Sequence, residues 1–113
     1  MTLVRAFTQI TTPSTVPTNQ YPNSATITDL ALTTTPVVAL PARSANNRRG
    51  FLIENDGSSS MIFGYGSTVS VASRTALLFP NDFYEDTSGW QGPVAVASVT
   101  TPGAANITEM VYI

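Results

Sequence analysis

The sequence contains no histidine, no cysteine and no lysine. Without histidine there is no side chain whose ordinary charge change falls between pH 5 and 8, and the commonest general base and metal ligand is missing. Without cysteine there is neither a disulfide framework nor a thiolate nucleophile or metal site. Without histidine or lysine, the abundant serines have neither a Ser–His nor a Ser–Lys partner to activate them. Charge is also scarce. Charged residues make up 11% of the chain, less than half the usual quarter or so, and serine and threonine supply the polar surface instead. The net charge of −2, with only five arginines, argues against binding to a phosphate backbone. Arg48-Arg49 is the only adjacent basic pair. No apolar run approaches the roughly 18 residues of a membrane span, and Met1 to Phe7 is too short and too interrupted for the apolar region of a signal peptide. The expectation is a soluble protein with no nucleic-acid or membrane partner and no cofactor.

Short apolar runs dominate the remainder. Phe51-Leu52-Ile53, Met61-Ile62-Phe63, Ala76 to Phe79, Val94 to Val99 and Ile107 to Ile113 are separated by turn clusters, at the roughly eight- to twelve-residue spacing of an antiparallel all-β domain. Thr26 to Leu32 alternates and reads as the first strand of the body, and Val37 to Leu40 is a second short run ended by Pro41. Asn55-Asp56-Gly57 reads as a hairpin turn between Arg49–Glu54 and a return strand from Met61 to Tyr65. Pro102-Gly103 reads as the centre of a type II turn that closes a hairpin between Val94–Val99 and the alternating run from Ala105 to Ile113. No helical periodicity extends beyond a turn. Seven to nine strands in an antiparallel β-sandwich, or a small jelly-roll-like barrel, follow from this pattern. At 113 residues there is room for one body, expected over 26–113.

Residues 1–25 differ in kind. Pro13, Pro17 and Pro22 remove backbone donors and bias their predecessors to extended conformations. Beyond this polar spacer stand Leu3, Val4, Phe7 and Ile10, each worth about 1.5–3 kcal/mol if moved from water to full burial. Either the segment is a free terminus without a role, or it is an extended arm whose apolar tip docks on a neighbour, and the second reading uses these side chains.

Candidate chemistry is sparse. Adjacent Glu85 and Asp86 point to opposite faces of a strand and cannot share one proton. Asn55-Asp56-Gly57 and Asn81-Asp82 lack the ligand ladder of a calcium loop. Gly64-Tyr65-Gly66 lacks the third glycine and following helix of a dinucleotide loop, so it reads as a bulge or strand end. Asp29 and Glu109 lie on otherwise apolar strand faces, where an edge position or an interface salt bridge with arginine suits them better than an inward one. Arg48-Arg49 either caps a strand or meets an acidic partner. Trp90 either closes the core, makes a subunit contact, or stacks on a sugar together with Tyr65 and Tyr84. No enzymatic activity is expected.

The succession Asn46-Asn47-Arg48-Arg49-Gly50-Phe51-Leu52-Ile53-Glu54-Asn55-Asp56-Gly57, Ile62-Phe63-Gly64-Tyr65-Gly66, Leu77-Leu78-Phe79-Pro80, Gly92-Pro93-Val94-Ala95-Val96 and Ala105-Asn106-Ile107-Thr108-Glu109 resembles the layout of small virion proteins of tailed bacteriophages. That resemblance covers residues 46–109 and is strongest to capsid decoration, or cement, proteins. It implies a structural role on the outer capsid surface of a virion, after synthesis in the host cytoplasm. The implied partners are the major capsid protein and further copies of the chain, a trimer by preference or a dimer. Leu3, Val4, Phe7, Ile10, Tyr21, Arg48, Arg49 and Trp90 are the interface candidates under this reading. A tail, neck or fibre accessory module, binding carbohydrate or a host receptor, is the alternative it leaves open.

Overall fold

Alternating apolar and polar residues between turn formers favour strands buried on one face. A computed structural model describes residues 24–112, and among them eight strands form. Leu3, Val4, Phe7, Ile10 and Tyr21 lie outside the described residues, as does nearly all of the expected arm. In chain order the strands are β1 (Ser24–Leu32), β2 (Val37–Leu40), β3 (Arg48–Asn55), β4 (Met61–Tyr65), β5 (Ala76–Leu78), β6 (Phe83–Asp86), β7 (Val94–Ser98) and β8 (Gly103–Val111). The first strand takes in Ser24 and Ala25, ahead of the boundary expected at residue 26. Among the described residues there is no helix.

Two four-stranded sheets result, sheet I in the order β1-β8-β3-β6 and sheet II in the order β2-β7-β4-β5. Every pairing is antiparallel. The chain behaves as one long antiparallel ribbon with β4–β5 at its tip and β3·β6, β2·β7 and β1·β8 as successive rungs. The ribbon is rolled so that β8 also borders β3 and β7 also borders β4. This is the wrapping of a jelly-roll sandwich.

Two expected hairpins are thereby corrected. β3 and β4 lie in opposite sheets, and so do β7 and β8. At the first corner Asn55 is fully buried. Its Nδ2 donates to the carbonyls of Ser59 and Leu78, both at 2.9 Å, and its Oδ1 accepts from the Gly57 amide at 3.0 Å. A side chain that imitates a turn in this way carries the chain across the sandwich and not back along it. Gly57 has no positive φ; it is small because a Cβ there would meet the Ala104 backbone nitrogen at 2.7 Å. At the second corner the Thr101–Pro102 peptide is cis, and Gly103 has no positive φ, so the turn is not type II. Gly103 already belongs to β8, where an added Cβ would run into the Ser98 side chain.

Inward positions of both sheets build the core: Phe51, Ile53, Met61, Phe63, Val94, Val96, Ala105 and Ile107 are all essentially inaccessible. A second apolar cluster lies on the outside of sheet II. There the segment 66–75 folds back and sets Val69 over Ile62, Ala95 and Ala97, with Leu77 beside them. Gly64 leaves the space, since a Cβ would stand 3.2 Å from a Val69 methyl. β7 is consequently buried on both faces, which accounts for its small residues.

Candidate functional site

One end of the sandwich departs from the apolar pattern. The inward positions of β8 run Ala105, Ile107, Glu109, and the last of these puts a carboxylate among apolar neighbours. Removing a lone charge from water costs several kcal/mol, so a cation has to accompany it. The first residue of β3 supplies one. Arg48 Nε donates to Glu109 Oε2 at 2.8 Å, and the arginine side chain has no exposed surface. Its remaining nitrogens donate to the carbonyls of Trp90 (3.0 Å), Gly92 (2.7 Å) and Pro41 (2.6 Å). One guanidinium thus ties β3 to β8 and to both neighbouring loops.

A second arginine closes the pair from outside. Arg43 Nε and one terminal nitrogen reach the two Glu109 oxygens at 2.9 and 2.6 Å, while about a third of the Arg43 side chain stays in solvent. The Arg43 bonds, then the bond from Arg48, hold the Glu109 carboxyl below its ordinary range, against the opposing effect of burial. Bonding to Glu109 likewise raises Arg43. Gln91 completes the junction: its Oε1 accepts from the Arg48 amide at 2.8 Å, and its Nε2 donates to the carbonyls of Arg48 and Gly89, both at 2.7 Å.

Beside this junction lies a second polar cluster. Asp86 is buried, and its Oδ1 accepts from the Tyr65 hydroxyl at 2.5 Å and from Ser88 Oγ at 2.7 Å. The Tyr65 and Tyr84 hydroxyls are 2.9 Å apart. Burial first, then the bond to Asp86, pushes the Tyr65 phenol far above its ordinary value. Asp86 and Glu109 are both register partners of Phe51, one on each side. The Phe51 side chain shares their face and separates the two carboxylates, so they do not form an acid–base couple.

These positions revise the expectations for the surface. Arg48 is turned inward and its acidic partner is Glu109 of the same chain, so it offers nothing to an outside molecule. Arg49, the next residue, is exposed. Tyr65 and Tyr84 point their hydroxyls into the sandwich and are not open stacking surfaces. Trp90 remains 38% exposed. Its Nε1 donates to the Pro93 carbonyl at 3.0 Å, its ring meets Tyr65 edge-on at 5.4 Å, and the indole lies so close to Gly92 that a Cβ there would overlap it. The indole is therefore held by its own loop, with one part presented to solvent. Asp29 is exposed on the border strand β1, an edge position as expected, and accepts from Asn106 Nδ2 at 2.6 Å; Glu109 is instead turned inward, and its arginines belong to its own chain and not to a subunit interface.

Arg43 and Gln91 were not singled out by sequence reasoning, and Asp86 only as the neighbour of Glu85. A carboxylate in the apolar row of β8 was the usable signal, because it demands a cation, and only arginines are present to supply one. Nothing in the sequence announces that Gln91 comes back to Arg48, because that contact depends on how the loops close. Ser24 is the register partner of Val111, which is also the partner of Arg48. Residues 1–23 therefore join the body at this same polar end. Comparison with protein-family models, curated proteins and solved structures returned no significant match for the chain.

Proposed function

We propose that this protein is a non-enzymatic capsid decoration protein of a tailed bacteriophage, which stabilises the shell by clamping neighbouring major capsid subunits. The observation that carries the reading is the point at which the N-terminal segment joins the body. Its apolar side chains, Leu3, Val4, Phe7 and Ile10, are connected through a proline-rich spacer to the end of the sandwich that Arg48 and Glu109 lock together. A polypeptide arm on a rigid body bridges two subunits without the body having to deform. Because one copy then touches more than one subunit, modest contacts combine through effective concentration. The jelly-roll wrapping is in keeping with this role, since the topology recurs in capsid proteins, although the fold alone assigns no function. The sparsely charged surface suits packing against other protein.

The test mixes the 113-residue chain with expanded phage heads lacking their decoration protein, and measures protein bound to empty heads and retention of packaged DNA by filled heads on heating. Binding with a gain in heat resistance supports the reading, as does its loss when Leu3, Val4 and Phe7 are changed to Asp. Undiminished attachment of that variant overturns it. The partly exposed Trp90 favours a second reading, a glycan- or receptor-binding module of a tail or fibre. Specific binding on a glycan array that disappears in Trp90→Ala would establish that role instead.

A further inference from the structure

We infer that β1 is a pairing edge, and that it joins β1 of a second copy antiparallel across a twofold axis at Ile27 to make one continuous sheet from two copies of sheet I. Among the described residues four strands form the borders of the two sheets, and three of them are blunted. β5 has three residues and β6 has four. β2 has four, breaks register between Val38 and Leu40, and is enclosed by Pro36 and Pro41. Short strands, irregular register and proline are the usual protections against edge-to-edge association. β1 has none of them. It runs for nine residues as SATITDLAL, with no proline, no lysine and no arginine, in unbroken register with β8. Its single charge, Asp29, is engaged by Asn106. Residues 25 to 29 are all exposed, and Ile27 keeps 67% of its surface in solvent.

The sequence of the strand fits its own reverse. An axis at Ile27 sets Ile27 against its counterpart, on the face where Thr108 and Leu52 continue the same row. The same register brings Thr26 opposite Thr28, Ala25 opposite Asp29 and Ser24 opposite Leu30. Threonine pairs and β-branched apolar pairs are favourable cross-strand neighbours, and no two like charges face one another. The contact is isologous and joins two copies only, so a threefold arrangement would need another surface. An overlap from Ser24 to Leu30 buries less than the roughly 1,200 Å² of a standard interface. Pairing is therefore weak between free molecules and strengthened where copies sit side by side on a common support.

The absence of cysteine makes the test direct. Opposed residues of an antiparallel pair lie about 4.5–5.5 Å apart at Cα, within the range a disulfide bridges. Full-length protein carrying Ile27→Cys should become mainly covalent dimer on mild oxidation at high concentration. Ala31→Cys lies on the same exposed face of the same strand, but its two copies would stand about 26 Å apart, eight residues at the strand rise, and it should stay monomeric. Ile27→Arg, which sets two positive charges against each other, should abolish the concentration-dependent dimer in sedimentation. An Ile27→Cys protein that crosslinks no more than the Ala31→Cys protein, or an Ile27→Arg protein that dimerises as before, overturns the inference. Neither measurement uses phage heads, so failure of the decoration reading and failure of this one are separable.

Discussion

Replacing Glu109 by Gln removes a charge and keeps the shape of the side chain, so it isolates what the carboxylate does. In the variant the Arg48 guanidinium, which has no exposed side-chain surface, keeps its bonds to the Trp90, Gly92 and Pro41 carbonyls. It loses its counter-ion. Leaving one member of a buried pair without the other costs about 3–5 kcal/mol, and the retained amide oxygen of Gln places the expected loss near the lower figure. Arg43→Ala removes only the partly exposed partner; a pair of that kind is worth about 1 kcal/mol or less. With a urea m-value of about 2 kcal/mol/M, a loss of about 3 kcal/mol lowers the unfolding midpoint by about 1.5 M. Urea unfolding at pH 7, followed by circular dichroism, separates the two variants. Equal midpoints for Glu109→Gln and Arg43→Ala, or a Glu109→Gln midpoint within about 0.3 M of the unsubstituted protein, would refute the reasoning.

The same substitution carries a pH signature. The Glu109 carboxyl is held below its ordinary value in the folded chain, chiefly by Arg43 and Arg48, so the unfolded chain takes up the proton first as pH falls. The stability contributed by this group is therefore complete above the ordinary glutamate value of 4.5 and is lost as pH descends through the lowered one. The gap between the unsubstituted protein and Glu109→Gln should narrow between pH 6 and pH 3. A gap that stays constant or widens over that window would show that Glu109 is not held by these arginines.

Three further outcomes are expected. Asn55→Ala strips three hydrogen bonds from the corner between β3 and β4 and orphans buried groups costing about 1–3 kcal/mol each, so its thermal midpoint should fall by at least about 8 °C; a shift under about 2 °C would mean that the corner closes without it. Spectrophotometric titration near pH 10 should give the same phenolate absorbance for Tyr65→Phe as for the unsubstituted protein, because the Tyr65 phenol is pushed well above its ordinary value; loss of one tyrosine's absorbance in the variant would contradict that. Gly50→Ala places a Cβ 2.5 Å from the Asp86 carbonyl oxygen, a clash with backbone, and should destabilise the protein by about 1–3 kcal/mol; a neutral result by urea unfolding would show that β3 and β6 separate there freely.

The strands were largely legible because period-two alternation and turn residues are local signals. β8 shows this best, with Ala105 and Ile107 inward and Asn106 and Thr108 outward as the alternation requires. Connections were less legible, since the same Asn-Asp-Gly that closes a hairpin also turns a corner, and the choice lies with Asn55. Its side chain selects the second outcome by bonding to Leu78 in a distant strand. Arg48 and Arg49 illustrate the limit for the site. Adjacent strand residues face opposite ways, and only the closing of two loops around one of them decides which guanidinium is buried. Glu109 was marked by its apolar row, whereas Gln91 sits in a loop where a polar residue carries no pattern.

The two ends of the sandwich are closed by different chemistry. At one end Asn55 joins β3, the 56–60 corner and β5 through neutral hydrogen bonds, whose strength does not depend on a carboxyl group being ionised. At the other, Arg48 and Glu109 join β3, β8 and two loops through charge, and that junction weakens once Glu109 takes a proton. Ser24, the first described residue, stands at the charged end, where Val111 pairs with both Ser24 and Arg48. Any load applied at Ser24 enters the body through the β1·β8 ladder, which runs without interruption from Ser24 to Leu32. A pull along the strand axis is shared by the whole ladder, whereas peeling from Ser24 would break it one residue at a time. Holding the last residues of β8 against β3 with a buried ion pair keeps the rung next to Ser24 from being the first to open.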